Sequence, residues 1–441
     1  MRVQAPCYDG SVQRGIGRGA RRRPRILAVT DFFPWPPRNG GTLRTSISVE
    51  ALTDAGDVDL FSLLDLREPE PVVPAAVSLR RVGTTAYPHV AASRRWRTGW
   101  LMARGRHHVP MEVAMRRRDT GPRQALTAWL NETGDIKNIA RRPYDVVWFA
   151  RATIYEWLGR PDLGPTVVDL LDLESDKERR RAELMTAAGS DAVSRVRLAL
   201  ARSQARLNAR RWAAFEQSVA TDVDRALLAS AGDAQLAGLP HTSVLPNTFR
   251  RPASPAGKPE PASPPTFLFQ GTFDYGPNVD GATWLVTEVG PRIRSVMPGA
   301  AIRLVGRTTP AVRHLDNPPD VVVTGEVPDM AAELARADVA VVPVRYAGGT
   351  RLKILESFAN RVPVVSTPVG AEGLEAGDGV HLLVAESADD FAHACARLVD
   401  DLALRRRLVD NAESRFLERY ESRVARDRIV SLVQELTAGP S

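Results

Sequence analysis

The sequence predicts a two-domain α/β protein with a ligand cleft between its halves. Three observations carry that expectation. Short apolar runs bounded by turn residues alternate with helical patterns through both halves of the chain. A proline-rich stretch at 249–265, with Pro252, Pro255, Pro259, Pro261, Pro264 and Pro265 and few apolar groups, separates the halves. In the second half, a glycine turn opens a helix that carries Lys353 and Glu356 three residues apart. That arrangement suits a nucleotide diphosphate, because a helix N-terminus and a cation favour an anion.

Composition sets the bounds. At 441 residues the chain has the length of two or three domains, each large enough for a full core. Hydrophobic content of 44% and charge of 25% are those of an ordinary globular protein. No apolar run reaches the roughly 20 residues that span a bilayer. Cys7 and Cys395 give neither a disulfide framework nor a metal cluster, which fits a reducing cytoplasm. The net charge of +7 comes mainly from arginine, since lysine occurs only at Lys137, Lys177, Lys258 and Lys353. With abundant Ala, Val, Pro and Gly, this usage points to a GC-rich bacterial genome. No zinc-finger, helix-turn-helix or RNA-binding signature accompanies the basicity, so a nucleic-acid partner is not expected.

Residues 1–24 are rich in Gly and Arg and end in Arg21-Arg22-Arg23-Pro24. They read as a basic tail without order, or as a start codon placed too early, and lack the apolar centre of a secretory signal. The first domain is expected over 25–248. Its strands are Arg25–Thr30, 58–63, 144–149, 166–170, 226–230 and 242–246. A helix runs from Thr42 with Leu43, Ile47 and Leu52 on one face, and a long proline-free helix covers 176–217. The second domain, 266–420, restarts the alternation with strands at 266–270, 301–305, 321–324, 339–343, 362–366 and 381–384. Helices close it at 388–400 and 402–420. A last helix at 421–437 is expected to pack back on the first domain. Ligands in such sheets bind beyond the carboxyl ends of the strands, so the loops after Thr30, Gln270, Val305, Thr324 and Pro343 line the cleft.

Gly348 and Gly349 let the backbone approach a ligand closely, and Thr350 suits a helix cap. Gly349, Lys353 and Glu356 share one helix face, while Leu352, Ile354, Leu355, Phe358 and Ala359 make the helix largely buried. A lysine there is costly unless it meets an anion. The alternative is a Lys353–Glu356 ion pair on a solvated face.

These residues also resemble a known family. Gly348-Gly-Thr-Arg-Leu-Lys-Ile-Leu-Glu356, with Pro343 before it and Pro363-Val-Val-Ser-Thr367 and Gly370-Ala-Glu-Gly-Leu374 behind, is similar to the donor-binding block of family-4-type glycosyltransferases. Those enzymes have the GT-B fold, two Rossmann-like doubly wound domains facing across a cleft. The nearest pattern, G-T-R-L-K-I-L-E, belongs to exopolysaccharide sugar transferases. Phe269-Gln-Gly-Thr-Phe-Asp-Tyr-Gly-Pro-Asn278, Leu304-Val-Gly306, Gly325-Glu-Val-Pro-Asp329 and Leu245-Pro-Asn247 match other segments in order and spacing. The resemblance implies a retaining, metal-independent transferase whose donor is a nucleotide-diphosphate sugar and which has no other cofactor. Glu356 would hold the ribose hydroxyls, and Lys353 would occupy the position beside the α-phosphate. Backbone N–H groups of Thr350, Arg351 and Leu352 would face the β-phosphate and sugar, with Gly349 beside them as a further donor-binding residue. Val327 would lie along the base, Gly271 in the first loop of the donor domain, and Gly40 and Gly41 in the loop that closes on the donor. Arg351 lies about 200° around the helix from Lys353, so both reach one phosphate only if Arg351 is still in the turn.

Two departures stand out. The family's glutamate eight residues before the ribose glutamate is here Gly348. The loop Asp274-Tyr-Gly-Pro-Asn278 lacks the family's diphosphate clamp, leaving Lys353, with Arg351 or Arg345, to replace it. A non-catalytic nucleotide-sugar-binding or scaffold protein on the same fold, or a sugar-nucleotide epimerase, are the alternatives. The acceptor would be a saccharide, a lipid-linked or a small-molecule hydroxyl. Contact with the inner membrane face is expected, if anywhere, through the arginine- and tryptophan-rich residues 93–118. The acidic group Asp169, Asp172, Glu174 and Asp176 invites a metal, but a strand end entering a helix start is the simpler reading. His107-His108 lacks a third ligand.

Overall fold

The computed structural model describes residues 22–64, 72–87, 109–117, 119–132, 142–185, 192–346 and 352–438. In the first half these form β1 (Arg25–Thr30), α1 (Gly40–Ala55), β2 (Asp57–Leu64), β3 (Arg81–Ala86), α2 (Met111–Arg116), α3 (Gly121–Asn131), β4 (Val146–Phe149), α4 (Ala152–Trp157), β5 (Thr166–Leu171), α5 (Glu174–Leu184), α6 (Ala192–Asp222), β6 (Arg225–Leu228), α7 (Ala231–Ala237) and β7 (Thr242–Val244). The second half contains β8 (Thr266–Gln270), α8 (Gly276–Trp284), a π turn at Leu285–Val289, α9 (Gly290–Val296), β9 (Ala301–Val305), α10 (Pro310–Arg313), β10 (Val321–Gly325), α11 (Met330–Leu334) and β11 (Val339–Val342). It closes with α12 (Leu352–Ala359), β12 (Val364–Ser366), α13 (Pro368–Ala371), β13 (Leu383–Val384), α14 (Ala388–Asp400), α15 (Leu402–Arg419) and α16 (Ser422–Ala438).

Two parallel sheets result, with strand orders β3-β2-β1-β4-β5-β6-β7 and β10-β9-β8-β11-β12-β13. In each, the first strand of the domain lies where the winding reverses: β1 between β2 and β4, β8 between β9 and β11. Such a switch point leaves a crevice at the strands' carboxyl ends. The central strands β1, β2, β4 and β8 are almost wholly buried, as continuous apolar runs require, while the edge strand β3 keeps exposed residues.

Four local features place the cleft walls. Asn39 caps α1: its side chain accepts from the Thr42 amide, and Thr42 Oγ1 accepts from the Asn39 amide. The helix therefore begins at Gly40 rather than Thr42. Inside α1, Arg44 forks Asp169 with N···O distances of 2.6 and 2.9 Å and donates to Leu245 O and Asn247 Oδ1. That buried cluster ties α1 to β5 and to the end of the first domain. The expected single helix over 176–217 is two, α5 and α6, because Met185 turns extended at φ −59°, ψ 128°. α16 returns to the first domain, where Ala425, Ile429, Leu432 and Val433 complete the core on the α1 side.

The proline-rich stretch lies along the second domain. Gly257 donates its amide to Asn360 O, while the buried Asp338 accepts from Lys258 Nζ and from the amides of Ala262 and Thr266. At the other end of β9, Gly306 has φ +132°, and a methyl built there would lie 2.1 Å from the Gly271 carbonyl oxygen. Only glycine fits both constraints. Gly306→Ala is expected to cost on the order of 3 kcal/mol, read as a lower denaturant midpoint at unchanged slope.

Candidate active site between the two domains

The second domain supplies the buried wall. On α12, Ile354, Leu355 and Phe358 enter the core, which turns Lys353 and Glu356 toward the end of β8. Lys353 Nζ donates to Asn278 Oδ1 at 2.7 Å and lies 4.6 Å from the centre of the Phe269 ring. The Asn278 amide in turn donates to Thr272 O at 2.9 Å, which fixes its oxygen toward the lysine. Gly271 makes room for that amide, since a methyl there would lie 2.8 Å from Asn278 Nδ2.

Glu356 has a separate partner. Gln270 Nε2 donates to Glu356 Oε2 at 2.9 Å. Burial pushes the Glu356 carboxyl up to about 7, against the opposing pull of that hydrogen bond. The ion-pair alternative is therefore not what forms: lysine and glutamate each hold a neutral amide from the β8 side. The buried Gln270 Oε1 has no hydrogen-bond partner among the described residues. An orphan acceptor beside a carboxylate suits a ligand with neighbouring hydroxyl donors.

The first domain faces this wall across the cleft. A methyl at Gly40 would come within 2.5 Å of Leu352 Cδ1, so the start of α1 touches the start of α12. Gly41 leaves space for Arg151, whose guanidinium binds Asp31 at 2.8 Å beyond the ends of β4 and β1. From α5, Lys177 pairs with Glu174 and lies 5.8 Å from the centre of the Tyr275 ring. Arg180 bridges its own Asp176 and the far domain's Glu372.

Several expected site residues are thus brought together: Gly40, Gly271, Leu352, Lys353 and Glu356 line one crevice, with Gly41 one residue away. Val327 lies on the loop after β10, packed against the second-domain core. Gly348, Gly349, Thr350 and Arg351 lie outside the described residues, as do 1–21, 93–108 and His107-His108. Arg345 is a correction. It is not available as a phosphate clamp, because it forks Asp280 at 2.5 and 2.9 Å and stacks toward Trp284. Asp169 is held by Arg44, Asp176 by Arg179 and Arg180, and Glu174 by Lys177, so that acidic group is an ion-pair network. The described end of the 93–118 segment is used internally: Arg116 lies over Tyr87 and Trp157, and Arg117 pairs with Glu156.

Sequence reasoning did not assign Gln270, Asn278, Lys177, Arg180 or Arg307. Arg307, from the loop after β9, pairs with Asp274 of the first loop at 2.6 Å. Their common signal is position, at or just beyond the carboxyl end of a strand or on the helix that follows.

Comparison with known proteins agrees with this arrangement. Residues 264–401 match the family model described as Glycosyl transferases group 1. An "Uncharacterized 44.6 kDa protein in cps region" of Klebsiella pneumoniae is 22% identical over 165 residues, which span 35% of this chain and 42% of that protein. Among solved structures, sucrose-phosphate synthase from Thermosynechococcus elongatus superposes with a TM-score of 0.65 at 17% identity, covering 94% of this chain and all of that one (100%). Anabaena HepE in complex with UDP gives 0.58 at 12% identity, covering 93% and 100%. These likenesses show the fold: two Rossmann-like domains in the GT-B arrangement. Among the described residues, no helix is long and apolar enough to cross a membrane.

Proposed function

We propose that the protein is a glycosyltransferase that moves a sugar from a nucleotide-diphosphate donor to an acceptor hydroxyl. The observation that carries this reading is the pair Glu356 and Gln270 at the cleft wall: a half-buried carboxylate and an orphan carbonyl oxygen, placed to accept from the two hydroxyls of a ribose. Lys353, held by Asn278, sits one helical turn nearer the first domain, where the diphosphate would lie. The group 1 match over the same domain supports it, and HepE, of similar fold, is a protein solved with UDP and with UDP-glucose.

In the transfer, the bond between sugar C1 and the β-phosphate oxygen breaks and its electron pair stays on the phosphate. The acceptor oxygen bonds to C1, and its proton leaves to the departing phosphate oxygen. Negative charge grows on the diphosphate, so Lys353 and the start of α12 stabilise the transition state more than the ground state. Attack from the leaving-group side retains configuration without an enzyme nucleophile. We assign that stereochemistry, independence of metal and a cytoplasmic site of action on the motif resemblance. A polysaccharide acceptor draws added support from the cps-region relative.

Asn278 is a positioning residue in this scheme. Asn278→Ala is expected to lower kcat about tenfold with KM nearly constant, because one charge-assisted hydrogen bond orients the lysine. The function itself is tested by incubating the full chain with a panel of nucleotide sugars, with and without saccharide acceptors. Release of nucleoside diphosphate with a new glycoside supports transfer. Saturable donor binding without turnover supports the non-catalytic alternative, and a changed sugar nucleotide without acceptor supports an epimerase.

A further inference from the structure

The first half of α6 presents a surface whose chemistry the cleft does not use. From Ala192 to Phe215 the sequence carries Arg195, Arg197, Arg202, Arg206, Arg210 and Arg211, and neither Asp nor Glu. Arg195, Arg197, Arg206 and Arg210 are exposed and pair with no carboxylate among the described residues. On the same outward side, Val196, Leu200 and Leu207 are 58%, 66% and 43% exposed. At about 100° per residue these three fall within roughly 40° of one another, so they form one strip along the helix. Arg206 and Arg210 flank it on one side, Arg197 and Arg211 on the other. The opposite side of α6, with Ala205, Trp212, Phe215 and Val219, is buried.

A single exposed aliphatic side chain is ordinary, but a line of three bordered by arginines with no acidic residue among them is not. A second copy of the chain would bring two arginine borders together. A nucleic acid would satisfy the arginines and leave the aliphatic strip in water. An anionic lipid surface satisfies both, taking the strip into the acyl boundary and the guanidinium groups to its phosphates.

We propose that α6 docks the protein on an anionic membrane surface. α5 packs along α6 and carries Lys177 and Arg180 to the cleft. Docking therefore sets the bilayer one helix away from the crevice, where a lipid-borne acceptor would arrive. The docking face is separate from the nucleotide wall, so the two can be measured independently.

The test is co-sedimentation of the full chain with vesicles of phosphatidylglycerol and phosphatidylcholine, or of phosphatidylcholine alone. Binding is expected to the anionic vesicles only, and to fall steeply with added salt. Leu200→Glu with Leu207→Glu, and separately Arg206→Glu with Arg210→Glu, should each lower partitioning by about a hundredfold. Thermal unfolding and nucleoside-diphosphate binding should be unchanged in both pairs. Failure of the native chain to bind anionic vesicles overturns docking, as does native-like binding by both pairs. Loss in the arginine pair alone would mean non-specific attraction of polyanions, and also overturns it. So would a native chain that dimerises through the leucines in light scattering and ignores vesicles.

Discussion

Glu356→Gln should strengthen the fold and weaken the ligand, an opposition that a merely structural residue would not produce. Burial raises the Glu356 carboxyl from 4.5 to about 7. Between those values the folded chain keeps a proton that the unfolded chain has released. Stability of the native protein therefore falls as pH rises through that window, by on the order of 3 kcal/mol, and is level above it. Glutamine carries no charge to bury and can still meet Gln270, so the variant should lack that decline and be the more stable of the two at pH 8. Ribose hydroxyls, by contrast, donate best to an ionised carboxylate. Nucleoside-diphosphate affinity of the native chain should rise with pH up to about 7 and then level, with a proton released on binding below that point. In the variant, affinity at pH 8 should be roughly 100-fold lower, and its pH dependence should shrink to that of the nucleotide's own terminal phosphate, whose second pKa is about 6. Denaturant titrations and calorimetry across the window read both effects. Equal affinity in the two proteins would remove Glu356 from the site.

Lys353→Met is expected to lower kcat by about 100- to 1000-fold while donor KM changes little. Methionine keeps much of the packing against Phe269 but loses the charge that meets the departing diphosphate. Lys353→Arg should not restore the rate, because the slot between Asn278 Oδ1 and the Phe269 face holds a compact ammonium rather than a planar fork. Initial rates at saturating donor decide it. A large rise in KM at constant kcat would confine Lys353 to ground-state binding.

Much of the fold was legible because buried parallel strands are short, uninterrupted apolar runs. β1, β8 and β9 have the bounds that their sequences predict. β3 escaped notice: Arg-Val-Gly-Thr-Thr-Ala has little apolar pattern, and it becomes a strand by pairing with β2 while Trp129 covers Gly83. The break between α5 and α6 has a local signal, the poor helix formers Thr186, Gly189, Ser190 and Asp191, which the Arg- and Ala-rich, proline-free pattern on either side outweighs. Within the site, helical spacing alone put Lys353 and Glu356 on one side of α12. Their partners were not readable that way. Asn278 lies 75 and Gln270 86 residues from the side chains they hold, and only the β8–α8 turn brings them there. The same limit explains Arg345, whose pairing with Asp280 on α8 spans 65 residues and has no local signal.

The most direct test of the nucleotide-sugar site is a crystal structure of the chain with a bound nucleoside diphosphate. The ribose hydroxyls should lie within hydrogen-bond distance of the Glu356 carboxylate, with Gln270 Oε1 as a second acceptor. The diphosphate should lie against Lys353 Nζ and the start of α12. A nucleotide that binds elsewhere, or lies in the cleft with its ribose away from Glu356, would contradict the site.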